Sequence, residues 1–148
     1  MTPSAEEPPT AGEFGAPEPL RVDRTRVTVA SGPLVGPVLS RVVGIHAARA
    51  QLPVDRLNDA VLIADALAAR APAYAAEDRL PVSVQSTPGR LEVRVGPMRP
   101  GGAARVLEGA ALPDVGSVIE RLADTVKARQ GAGGDEYLVV RLGTGFGP

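Results

Sequence analysis

The chain has 148 residues, of which 44% are hydrophobic and 22% charged, and its formal net charge is −1. One domain with a tail is expected, long enough to bury a core without cross-links or metal. No cysteine is present, which excludes disulfides, iron–sulfur clusters and thiolate zinc sites, and the near-neutral charge argues against a dedicated nucleic-acid binder. Aromatic residues make up only 3%, so Val, Leu, Ile and Ala must build the core. No basic region followed by an apolar run marks a secretory leader, and no run approaches the ~18 apolar residues of a membrane span. A cytoplasmic location is therefore expected.

Residues 1–20 hold five prolines and the acids Glu6, Glu7, Glu13 and Glu18, with no base. Such a composition predicts a disordered acidic tail. Arg24–Val29 alternates and is rich in β-branched residues, which predicts a strand. Val35, Val38, Leu39, Val42, Val43 and His46 then mark one face of a helix running to about Ala50. Pro53 opens a second helix, expected to reach Arg70. Leu57, Val61, Ala64 and Ala68 form one stripe on it, and further apolar residues surround that stripe. Burial on two sides is the expectation.

Pro81–Gln85 and Leu91–Val95 alternate with period two around Thr87-Pro88-Gly89-Arg90, which predicts a hairpin with a tight turn. Residues 96–114 are rich in Gly and Pro and read as a long loop, with one helical turn at Ala103–Glu108. Val115, Val118, Ile119, Leu122 and Val126 predict a third amphipathic helix with Asp114 as its N-cap. Gly131–Gly134 is a turn and Tyr137–Leu142 a last strand. This order predicts a two-layer α/β (α+β) sandwich with a mixed or antiparallel sheet and helices on one face, over 21–143. Residues 144–148 are expected to be a flexible terminus.

Several chemistries fail on inventory. The single lysine, Lys127, is followed by Ala128, so no P-loop exists. The single histidine, His46, cannot join a multi-histidine metal site, and its place in the helical stripe predicts packing rather than a Ser–His hydrolase. Gly143–Pro148 has no following helix to receive a phosphate, so it is not a dinucleotide fingerprint. Gly101-Gly102 and Gly133-Gly134 are glycine turns that could present backbone N–H groups to an anion. Asp65 falls on the stripe of the second helix. A lone carboxylate there must face solvent or a cavity, or pair with an arginine such as Arg94.

Leu52-Pro53-Val54-Asp55-Arg56-Leu57 matches the Leu-Pro-x-x-x-Leu opening of the second helix in anti-sigma-factor serine kinases. The order strand, helix, helix, hairpin, long segment, helix, strand also resembles that family, part of the histidine-kinase-like (Bergerat-fold) ATPase superfamily, over about residues 22–142. The resemblance implies a histidine-kinase-like ATPase fold. It places Asp65 at the general base and Ala69 where an Mg²⁺-holding asparagine stands. It places Val95 at the adenine-reading aspartate and residues 96–114 at the ATP lid, with Gly101, Gly102, Gly116, Gly133 and Gly134 at further nucleotide-binding positions. Asp65 survives and the asparagine and aspartate do not, so loss of kinase activity is implied, with no cofactor required and ATP/Mg²⁺ suggested only by the resemblance. The function implied is a regulatory module binding a protein partner, such as a sigma factor or an anti-sigma antagonist, without nucleic acid or membrane and with homodimerisation open. A divergent ATP-binding serine kinase using Asp65 is the alternative, and an unrelated small α/β structural or interaction protein is a third reading.

Overall fold

A computed structural model describes residues 21–112 and 116–144. The acidic stretch 1–20, the expected cap Asp114 and all but Thr144 of the expected terminus lie outside them. The element order is β1 (Asp23–Ala30), α1 (Val35–Arg49), α2 (Val54–Arg70), a 3-10 turn (Ala71–Tyr74), β2 (Arg79–Thr87), β3 (Arg90–Met98) and α3 (Gly102–Gly109). Short strands β4 (Ala111–Leu112) and β5 (Gly116–Ser117) follow, then α4 (Val118–Leu122), β6 (Thr125–Gln130), a 3-10 turn (Ala132–Gly134) and β7 (Glu136–Gly143). Five strands form one sheet in the order β1-β2-β3-β7-β6. Every neighbouring pair in it is antiparallel, which makes the molecule a two-layer α/β sandwich.

Strand parity divides the sheet into two unlike faces, because successive side chains point to opposite sides. Leu80, Val82 and Val84 of β2, Leu91, Val93 and Val95 of β3, and Leu138, Val140 and Leu142 of β7 are buried toward the helices. They join Leu39 and Val43 of α1, Ile63, Ala64 and Leu67 of α2, and Val106 of α3 in one cluster. Among the described residues the opposite face carries no helix and is lined mainly by polar and charged side chains.

The α1 stripe follows the expected helical period, with Val35, Leu39, Val43, His46 and Ala47 buried. Pro53 stands in extended conformation ahead of α2 and leads it in, and Pro72 converts its end to a 3-10 turn. The β2–β3 hairpin forms where expected. Thr87 pairs with Arg90 across Pro88-Gly89, and Gly89 takes the positive φ of 79° that this turn needs.

Four expectations change. The buried face of α2 is Ala60, Ile63, Ala64 and Leu67, one residue round from the expected stripe. Leu62 remains 52% exposed, so α2 is not enclosed on two sides. The span 96–114 is not mainly loop: β3 runs on to Met98 and α3 makes two turns. The third helix is only Val118–Leu122, and Val126 lies in β6. Helix gives way because β7 offers a free edge to the β-branched Thr125-Val126. Asp124 fixes the reversal: its N–H donates to the Arg141 carbonyl and its carboxylate accepts the Gly143 N–H.

Candidate functional site

Asp65 lies on the outer flank of α2, exposed, because it sits about 100° round the helix from the buried Ala64. Ser40 of α1 donates its hydroxyl to Asp65 Oδ1 at 2.5 Å. Of the two options open to this acid, the one observed is solvent. The expected arginine partner is not there: Arg94 projects from the opposite face of the sheet, its guanidinium 4.5 Å from the Tyr137 ring centroid. Ala69 is exposed one turn after Asp65 and offers no ligand atom. Val95 points from β3 into the core and is fully buried.

The glycine positions separate into two groups. Gly101 takes a left-handed conformation ahead of α3. Gly102 is packed tightly, since a Cβ there would sit 3.0 Å from Tyr74 Cβ and 3.1 Å from Met98 Cβ. Gly134 lies beside Pro100, which brings the Gly133-Gly134 turn against the start of α3. An anion gains nothing obvious at this helix start, because Ala103 N already donates to Glu136 Oε1 at 3.1 Å. The chain's own carboxylate supplies the cap and meets the helix dipole. Gly116 is exposed in β5 with φ of 83°, outside this group. The structure thus sets the Gly133-Gly134 turn near the Gly101-Gly102 start of α3 through Pro100 and Glu136, and leaves Asp65, Ala69 and Val95 in three different surroundings.

These residues do not supply what Mg²⁺-ATP requires. Adenine recognition needs a hydrogen-bonding group facing a cleft, and Val95 presents two methyls to packed neighbours. The metal between triphosphate oxygens needs an oxygen ligand, and Ala69 has none. Among the described residues no three His, Asp or Glu side chains converge as metal ligands. The void between α1 and the first two strands, lined by Val27, Leu39, Leu80 and Val82 among others, measures about 10 Å³. That is room for one water at most.

His46 packs as expected and does more than fill space. It is 3% exposed, and its Nε2 lies 2.7 Å from Thr25 Oγ1 while Nδ1 lies 2.9 Å from Ser86 Oγ. One neutral imidazole, donor on one nitrogen and acceptor on the other, thereby joins α1 to β1 and β2. Burial holds its pKa below the ordinary value; Arg49 adds to this and Asp23 opposes it. The Ser86–His46 contact resembles half of a hydrolytic triad, but Ser86 is 2% exposed and no substrate reaches it.

Two arrangements escaped the sequence reading. Arg56 ties three segments together. Its guanidinium donates to Asp59 at 2.9 Å, to Asp124 at 2.6 Å, and to the carbonyls of Leu122 and Gly143 at 2.9 and 3.2 Å. Its only local signal was the i, i+3 spacing to Asp59. The second is the helix-free sheet face, where Arg24, Arg26, Arg94, Lys127, Arg129 and Arg141 share one side by strand register. Comparisons with known proteins add no name to this geometry: no family model matches the chain and a search of curated proteins finds no match.

Proposed function

We propose that this chain is a non-catalytic regulatory module of the anti-sigma-factor kinase type, which binds a protein partner and has lost nucleotide chemistry. The observation that carries the reading is the state of the helix–sheet interface. Val95, Ala64 and Leu67 are each at 0% exposure there, filling the layer where a nucleotide would have to lie. The opening order strand, helix, helix, hairpin that resembles that family, together with a filled interior, fits a domain kept for its shape. Among the described residues no helix is long and apolar enough to cross a membrane, and a cytoplasmic location belongs to the same proposal.

Calorimetry of the folded protein with ATP, with and without Mg²⁺, tests it. The expected result is no heat at millimolar ATP. Mg²⁺-dependent binding in the micromolar range would overturn the reading and favour a divergent serine kinase. One observation speaks for that rival, namely that the Asp65 carboxylate is open to solvent. Phosphorylation lost on Asp65→Asn would then identify it as the base.

A further inference from the structure

The helix-free sheet face concentrates charge that the whole chain does not have. Eight of the sixteen basic residues stand outward on its strands, Arg79 and Arg90 with the six already named, against one of the seventeen acids, Glu92. Arg26, Ser83, Arg94, Val139 and Lys127 are successive register partners across all five strands. Strand spacing puts the three cations about 10 Å apart in a line roughly 20 Å long. A second row, Arg24, Gln85, Glu92, Arg141 and Thr125, lies beside it. Among the described residues only the Arg141–Glu92 pair, at 2.8 Å, neutralises a cation there. Among the described residues Arg26, Lys127 and Arg129 have no carboxylate within 4.0 Å. Like charges gathered on one surface repel, so this pattern costs stability unless something negative meets it.

We propose that this face is a docking surface for an acidic segment of a partner protein. The inference rests on reading the chain as a partner-binding module and names the partner's chemistry. At the middle of the cation line, Arg94 stacks on Tyr137 beside Val139, which is 94% buried despite facing away from the helices. Arg and Tyr are among the residues enriched at interface anchors, and here the exposed Arg94 and the half-buried Tyr137 supply that pair while Val139 holds the strand beneath them in place. Nucleic acid fits less well. The one aromatic ring among the residues of the two rows and their neighbours is covered by a guanidinium, leaving no platform for bases to stack on. Glu77 and Asp78 border a shallow groove at one end of the face, with Thr28, Arg79 and Pro97. The rest of the chain carries an excess of acids that would repel a long polyanion. A short acidic peptide stays within the cationic rows.

The test titrates the full chain with a labelled peptide of alternating Glu and Ala, its Gln/Ala counterpart, and a single-stranded oligothymidylate of equal charge. Low salt is used so that screening is weak. The Glu peptide is expected to bind, the Gln peptide not to, and Arg26→Glu with Lys127→Glu to weaken binding by about tenfold or more. Both substituted side chains are exposed, and an unchanged urea midpoint verifies folding. Equal binding of the Gln peptide, no loss on charge reversal, or tighter binding of the oligonucleotide would each overturn the proposal. Peptide binding seen only after Glu6, Glu7, Glu13 and Glu18 are all changed to Gln would assign the face to the chain's own acidic stretch instead. A chain that binds neither ATP nor the Glu peptide would sink this docking surface and leave the non-catalytic reading standing; a chain that binds ATP would sink the latter by itself.

Discussion

Installing the carboxylate that a nucleotide site would use at position 95 distinguishes a filled interior from a hidden pocket. Val95 is fully buried and pairs across the sheet with Val82 and Leu138. Val95→Asp forfeits about 1.5–3 kcal/mol of apolar burial. It also strands a carboxyl among apolar side chains, which costs about 2–4 kcal/mol more even after its proton affinity rises. A loss of about 3.5–7 kcal/mol is comparable to the whole stability of many domains, about 5–15 kcal/mol. Since the variant can fail to fold outright, Val95→Thr provides a milder probe. It nearly keeps the volume and adds one hydroxyl, at about 1–3 kcal/mol. With a urea slope of about 1–3 kcal/mol/M, its midpoint falls by roughly 0.5–1 M, read by far-UV circular dichroism. Where Val95→Asp does fold, burial raises the new carboxyl's pKa, so the protein is more stable at pH 5 than at pH 8. An unshifted midpoint for Val95→Thr, or a folded Val95→Asp that binds ATP, would refute the argument.

Further perturbations probe other parts of the structure. The folded-state pKa of His46 lies below its ordinary 6.5, so both states are neutral above that value and the histidine adds no pH dependence there. As pH falls below 6.5 toward the folded pKa, the unfolded chain takes up a proton the folded one resists. Stability should drop there by at most about 1.4 kcal/mol per pH unit. Urea midpoints measured between pH 7.5 and 5 should show this slope, and His46→Gln should flatten it. Arg56→Ala removes the donors to four acceptors from a side chain only 16% exposed and should cost about 2–4 kcal/mol in thermal unfolding. Arg56→Lys, without the planar fork, should recover less than half of that. Asp65→Ala removes one exposed hydrogen bond and should shift stability by no more than about 0.5 kcal/mol in the same measurement.

The parts of the fold legible in the sequence were those whose signal is local. Val35 to His46 carries an uninterrupted 3.6-residue period. The β2–β3 hairpin has alternation on both sides of a Pro-Gly pair. Its register follows because a one-residue slip would turn Val84 and Val93 to solvent. The segment Val115–Val126 shows where local signal runs out. Its apolar spacing suits a helix, yet from Thr125 onward the chain joins the sheet. What decides is the free edge of β7 and the bonds from Asp124 to Gly143 and Arg141, about twenty residues downstream. No window over the helix itself contains that information. The same holds for α3, whose Gly-rich opening reads as loop until Glu136 is seen to cap it.

The site residues divide along the same line. Asp65 was placed on the inward stripe because α2 is apolar nearly all round, and such a helix does not announce which arc it buries. One residue of rotation, about 100°, decides between a carboxylate facing a cavity and one facing water. The tertiary contact that fixes the rotation is Ala60–Ile63–Ala64–Leu67 against the core. The cationic face could have been found earlier. Arg24 and Arg26 alternate with Thr25 and Val27 in the first strand, Arg94 sits between Val93 and Val95, and Arg141 between Val140 and Leu142. Once the apolar parity is taken as inward, these bases share the other side by geometry alone. Two gaps hid it. The segment up to Val126 was expected to be a helix, so no strand was expected to carry Lys127 and Arg129, and the strand order that sets β1 beside β2 and β6 beside β7 is a property of the sheet rather than of any strand. With both in place, an overall charge near zero becomes an acidic body with one basic wall, and that wall is the surface on which a partner's carboxylates should be sought.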